Sequence, residues 1–127
     1  MDRCASAWLI KRFIDGEAEF YFASEDDMIP DDMIAFTLPR ARIKPVEGKM
    51  TTYDRLIEEY GISDPLALTI GKYIHDFEID ARENPARLKQ RETLGLVYVL
   101  KGLEKISETD HEILDRAFII IDAFLAS

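Results

Sequence analysis

Only one cysteine, Cys4, occurs in the chain, so no internal disulfide can form and nothing asks for an oxidising compartment. No apolar run approaches the roughly 18 to 20 residues that span a bilayer. The opening Met1-Asp2-Arg3 lacks the charged-then-apolar layout of a secretory signal. The expectation is a cytoplasmic chain with no membrane partner. Glycine is sparse, six in 127 residues, too few for a phosphate cradle. Nucleophile elbow, P-loop, dinucleotide glycine pattern and Cys-x-x-Cys pair are all absent. A classical enzyme is therefore disfavoured, although a carboxylate-bound metal could still activate water. Positive charge is also scarce: 16 Lys and Arg stand against 25 Asp and Glu, a net charge of −9. Such a field repels phosphate backbones, so direct nucleic-acid binding is not expected. Cations or a basic partner are easier ligands than oxyanions, unless basic groups are locally concentrated. Acidity that serves only solubility is the plainer alternative.

What is present suits one domain over residues 1–127, with a hydrophobic fraction of 47% that is ordinary for a folded protein. Asp2 can cap a helix whose apolar positions Ala5, Trp8, Leu9, Phe13 and Ile14 recur at helical spacing, with Gly16 ending it. Residues 18–23 (AEFYFA) have the aromatic content of a strand. An acidic loop over 24–32, broken by Pro30, leads to short strand candidates at 33–37 and 42–46. A Leu38-Pro39 turn separates them, and Gly48 closes the region. Thr51 or Thr52 can then cap a helix through Tyr60, which Gly61 stops. Ser63-Asp64-Pro65 starts a long helix through about Asp80. Asn84-Pro85 predicts a helix carrying Leu88, Leu94, Leu96, Val97, Val99 and Leu100. Residues 107–110 restart the chain into a last helix lined by Ile113, Leu114, Ala117, Phe118, Ile121 and Phe124. The expected fold class is α+β, mainly helical, with about five helices and a small N-terminal β-sheet. A helix beginning at residue 2 and followed by a strand suggests a β-α-β arrangement without its first strand. A naturally short or a trimmed N-terminus would account for that, and a homodimer would cover the exposed apolar surface.

The first helix reads Asp2-Arg3-Cys4-Ala5-Ser6-Ala7-Trp8-Leu9-Ile10-Lys11-Arg12-Phe13-Ile14-Asp15. This run resembles the signature of the chromate-resistance family (ChrB, C-terminal domain), Asp-Arg-x-Ala-Ser-Ala-Trp-Leu-Ile-x-Arg-Phe-Ile-Asp. Weaker matches follow in order: Thr52-Tyr53-Asp54, Tyr60-Gly61-Ile62, Asp64-Pro65-Leu66-Ala67-Leu68, Ile74-His75-Asp76-Phe77-Glu78 and Glu92-Thr93-Leu94-Gly95-Leu96. They resemble the family's Thr-Phe-Glu, Phe-Gly-Leu, Asp-Pro-Ala-Leu, His-x-x-Asp and Glu-x-x-Gly-Leu elements, so the resemblance covers nearly the whole chain. Two positions depart from it. Cys4 replaces a plain aliphatic residue, and Glu47 precedes Gly48 where members often carry histidine. The family's regulators place a DNA-binding domain ahead of this one. The resemblance therefore implies, for these residues, a ligand-sensing or metal-related domain in the chromate stress response.

His75 and Glu78 are three apart on a predicted helix and so share a face. Imidazole with carboxylates is a competent set for zinc, iron or manganese. Asp2, Asp54 and Glu92 near other helix starts complete a candidate metal set of Asp2, Asp54, His75, Glu78 and Glu92 for a divalent ion. Helix caps and an ordinary histidine explain the same residues without a metal. Arg3, Ser6 and Arg12 could instead bind a small oxyanion at the first helix's N-terminus, or they could pair with acids and pack. Cys4 near that N-terminus could carry a stabilised thiolate, though a buried structural thiol is more common. His111 is expected to face solvent. The leading expectation is a metal- or chromate-responsive sensing domain using the His/carboxylate site. A metal-dependent enzyme, hydrolytic or redox-detoxifying, is the alternative, and an interaction module with a decayed site is the third reading.

Overall fold

The computed structural model describes residues 1–23, 27–30, 32–36 and 41–127. Among these residues five α-helices form the frame: α1 (Asp2–Leu9), α2 (Thr52–Tyr60), α3 (Pro65–His75), α4 (Arg91–Ile106) and α5 (Asp110–Ala126). Two of them widen at their C-terminal ends into π-helical turns, α1 over Ile10–Ile14 and α3 over Asp76–Asp80.

Most helix starts are set by side chains within four residues of the first turn. Thr51 and Asp54 form a reciprocal capping box, each side chain accepting the other's backbone N–H at 3.0 Å. Gly61 ends α2 in the left-handed region, φ 58°, where a side chain would be strained. Asp64 accepts the N–H groups of Leu66 and Ala67, with Pro65 pre-set for the first turn. Thr109 accepts that of Glu112 to start α5.

Helix α1 is the centre of the molecule. Every residue from Cys4 to Leu9 is buried, and the helix packs on α2, α3 and α5, as a helix apolar nearly all round must. Trp8 is 2% exposed and donates its indole N–H to Asp122 at 2.8 Å. Arg12 grips the same carboxylate through two nitrogens, at 3.3 and 2.7 Å. The pair thus satisfies the polar end of a large core aromatic.

The expected β-sheet is absent among the described residues, and the molecule there is all-helical. What remains are two isolated bridges, Phe36 with Ile43 and Val46 with Met50. Residues 18–23 run without a partner strand among the described residues. Two of their three aromatics instead pack on α5, Phe20 meeting Phe118 edge-on at 6.1 Å and Phe22 lying 4.9 Å from the His111 ring, while Tyr21 is exposed. Packing against α5 thus accounts for the two phenylalanines of the run that suggested a strand. Ser24, Glu25, Asp26 and Asp31 of the acidic loop, Thr37 of the second strand candidate and the Leu38-Pro39 turn lie outside the described residues. Asn84-Pro85 opens only a three-residue 3₁₀ turn, Pro85–Arg87, and α4 begins later, at Arg91.

The contact that places the site is between α2 and α3. A Cβ on Gly71 would stand 3.1 Å from the Tyr53 ring, so these helices approach as closely as a glycine permits. Tyr53 is fully buried and donates its hydroxyl to the Ala67 carbonyl at 2.6 Å. The residue after Tyr53 is Asp54, and one turn beyond Gly71 is His75.

Candidate functional site

Asp54 and His75 meet across this approach. The Nδ1 atom of His75 lies 2.7 Å from Asp54 Oδ2, the same oxygen that accepts the Thr51 N–H. A carboxylate can only accept, so Nδ1 carries the proton and the lone pair of the neutral ring is on Nε2. That atom lies 3.8 Å from Asp80 Oδ1, and Asp80 Oδ2 is 3.2 Å from the Lys89 ammonium. These groups line an open cleft of about 380 Å³ with Lys72 and with Ile57, Leu68 and Gly71 as its apolar part.

Asp76, next to His75 in the chain, has a different task. It is 2% exposed, and its carboxylate accepts the backbone N–H groups of Lys89 and Gln90 and the Thr93 hydroxyl, all within 3.1 Å. Burial pushes its pKa up, but those three donors outweigh burial and hold the group below the usual carboxylate range. Asp76 therefore pins the segment leading into α4, including the backbone of Lys89, beside the cleft.

The remaining sequence-predicted ligands sit at helix ends. Asp2 caps α2 rather than its own helix, accepting the N–H groups of Thr52 and Tyr53 at 2.9 and 3.1 Å and the Ser6 hydroxyl at 3.1 Å. Glu78 lies near the start of α1, where burial, with the Asp2 charge adding to it, raises its pKa against the lowering effect of the N-terminal amine and Arg82. Glu92 is exposed in the first turn of α4. Of the five, the structure joins Asp54 to His75 and Asp2 to Glu78. Among the described residues, no three His, Cys, Asp or Glu side chains stand close enough together to hold a metal ion.

The predicted anion group is engaged residue by residue. Arg3 pairs with Asp110 at 3.5 Å under the Phe22 ring, Arg12 with Asp122, and Ser6 with Asp2. Cys4 is buried, and burial raises its thiol pKa, which disfavours the thiolate a redox role requires. His111 is exposed.

Residues 1–127 match the family described as ChrB, C-terminal domain. The chain belongs to this family. It is 29% identical over 124 residues to Protein ChrB of Cupriavidus metallidurans, an alignment covering 97% of this chain and 36% of that protein. The chain thus spans little more than a third of the length of the curated relative it matches. No solved structure matches it.

Within this ChrB C-terminal domain, sequence reasoning missed Asp80 and Lys89. Counting in threes and fours along a helix pairs His75 with Glu78. The chain widens at this point, with the Ala81 N–H bonded to the Asp76 carbonyl five residues back at 2.9 Å. In a π turn, residues five apart come round to nearly the same face, and such turns recur at functional sites. Glu78 is thereby directed to the start of α1, and Asp80 takes the place beside His75. No sequence signal marks a π turn. The only available hint was that Asp76-x-x-x-Asp80 adds acids after a helical histidine.

Proposed function

We propose that this domain is the ligand-responsive part of a chromate-resistance protein, and that a divalent cation binds in its cleft at His75 Nε2 with Asp80. The observation that carries the reading is the 2.7 Å bond from His75 Nδ1 to Asp54. Metal-bound histidines characteristically donate their other N–H to a carboxylate, which fixes the tautomer and turns the lone pair outward. Asp54 is itself held by the Thr51 amide, so the imidazole is oriented before any ligand arrives. The formal charge of −9 favours a cation over an oxyanion at such a cleft. Two protein ligands leave the other coordination positions to water, which suits a reversible, responsive site better than a structural one. Titration calorimetry with Zn²⁺ or Ni²⁺ tests it. Saturable binding should be lost in His75→Ala and kept in His111→Ala; equal binding by both variants would refute the proposal.

A second reading, a metal-dependent hydrolytic or redox-detoxifying enzyme, has the same open coordination positions in its favour, since a cleft of about 380 Å³ has room for a substrate. Turnover of a chromogenic ester, or of chromate with an added thiol as the electron donor, by the metal-loaded protein and lost in His75→Ala would favour it. The proposal extends to assembly. Tyr98, Ile106 and Ile119 are each about two-thirds exposed, at 67%, 70% and 66%, and a homodimer covering them is expected. A monomer mass by light scattering at high concentration would exclude the dimer.

A further inference from the structure

We infer that Lys89 is a resident competitor for this cation site, its ammonium occupying the Asp80 carboxylate until a metal ion displaces it. The inference rests on the cation reading of the His75–Asp80 cleft and adds what sets its affinity. The two oxygens of Asp80 face different partners: Oδ1 looks to His75 Nε2 at 3.8 Å, and Oδ2 to Lys89 Nζ at 3.2 Å. Ligand atoms around a tetrahedral first-row metal ion lie about 2.0 to 2.2 Å from it and hence roughly 3.3 to 3.6 Å from one another, so Oδ1 and Nε2 must close by a few tenths of an ångström to share one ion in that geometry. A carboxylate engaged by an ammonium is held back from that movement and is partly neutralised.

The geometry of Lys89 suits a removable occupant. Its backbone N–H is anchored by both oxygens of Asp76, so its Cα stays at the rim whatever its side chain does. Its side chain is 68% exposed and can swing into water without leaving a buried charge. An ion pair so exposed is weak and easily exchanged. Lys72 offers an internal comparison. It lines the same cleft and has no acid within ion-pair distance among the described residues, so it contributes charge without occupying a ligand. Repulsion of a dication by the Lys89 charge needs no carboxylate at position 80, whereas occupation of Asp80 predicts an effect of Lys89 that depends on that carboxylate.

The test is Zn²⁺ titration of the wild-type chain, Lys89→Met, Lys72→Met, Asp80→Asn and the Asp80→Asn/Lys89→Met double variant, with His75→Ala alongside and circular dichroism to confirm folding. Lys89→Met keeps the aliphatic stem and should bind about two- to fivefold tighter than wild type, Lys72→Met clearly less so. The gain from Lys89→Met should vanish in the Asp80→Asn background, because the ammonium then has no charged ligand to occupy. Equal tightening by both lysine variants, or a gain that persists in the Asp80→Asn background, overturns the inference while leaving the cation reading intact. Unchanged binding in His75→Ala, or no binding by any chain, overturns both.

Discussion

Asp2, the first residue of α1, closes the start of α2: its carboxylate lies 2.9 Å from the backbone nitrogen of Thr52 and 3.1 Å from that of Tyr53. These partners are about fifty residues away in the chain, so one side chain ties the N-terminal helix to the element that carries Asp54. Asp2→Ala should cost about 1 to 2 kcal/mol, a typical cap loss, and Asp2→Asn noticeably less because asparagine can still accept. Urea unfolding reads this as a lower midpoint at unchanged slope; equal losses for Ala and Asn would show that the cap is not the cause.

Trp8 should be the costliest single truncation. It is buried to 2% exposure, touches Phe13 edge-on and closes its indole N–H on Asp122. Trp8→Ala should lose about 3 to 5 kcal/mol, as large aromatic truncations in cores do. A loss under about 1 kcal/mol in thermal or urea unfolding would contradict the packing described for α1.

Asp76 and Glu78 should pull the pH dependence of stability in opposite directions. The Asp76 pKa is depressed in the fold, so the stability it contributes is present above its unfolded value and is lost as pH falls through the folded one. Asp76→Asn should remove part of the acid-denaturation slope below about pH 4. The Glu78 pKa is raised, so its contribution is complete below the unfolded value and is lost as pH rises through the folded one. Glu78→Gln removes the buried charge while keeping the side chain's size, and should be more stable than wild type at pH 7, with the advantage disappearing in acid. Melting temperatures measured from pH 3 to 8 decide both, and a Glu78→Gln variant less stable than wild type at pH 7 would contradict the assignment.

Alanine at Gly71 and at Gly95 should act with opposite sign. Both substitutions gain helix propensity, about 1 kcal/mol. A Cβ at Gly95 meets nothing within 4 Å, whereas one at Gly71 meets the Tyr53 ring at 3.1 Å, and that ring is fully buried and tied through its hydroxyl. Gly95→Ala should therefore raise the melting temperature. Gly71→Ala should lower it and move the His75 ring signals in NMR spectra by forcing α2 from α3. Unchanged His75 signals would mean that the Gly71–Tyr53 contact does not set the Asp54–His75 distance.

The starts of α2, α3 and α5 are legible in the residue order, because Thr51 with Asp54, Asp64 with Pro65, and Thr109 act on backbone groups within four residues. It also marked Trp8 for the core and, through the run from Asp2 to Asp15, the family. Pairing beyond the local turn depends on how the helices pack. Residues 18–23 carry strand-like aromatics, yet a strand needs a neighbour, and α5 offered Phe20 a better apolar surface. Asp2 reads as a cap from either side, and which helix it closes depends on where α2 arrives. His75 was legible as a candidate, and so was Asp54. Their meeting at 2.7 Å depends on a glycine-wide approach between two helices, and the arrival of Asp80 depends on a π turn. Both are matters of backbone geometry that residue spacing alone does not encode, because the same spacing on a regular α-helix would have presented Glu78 instead.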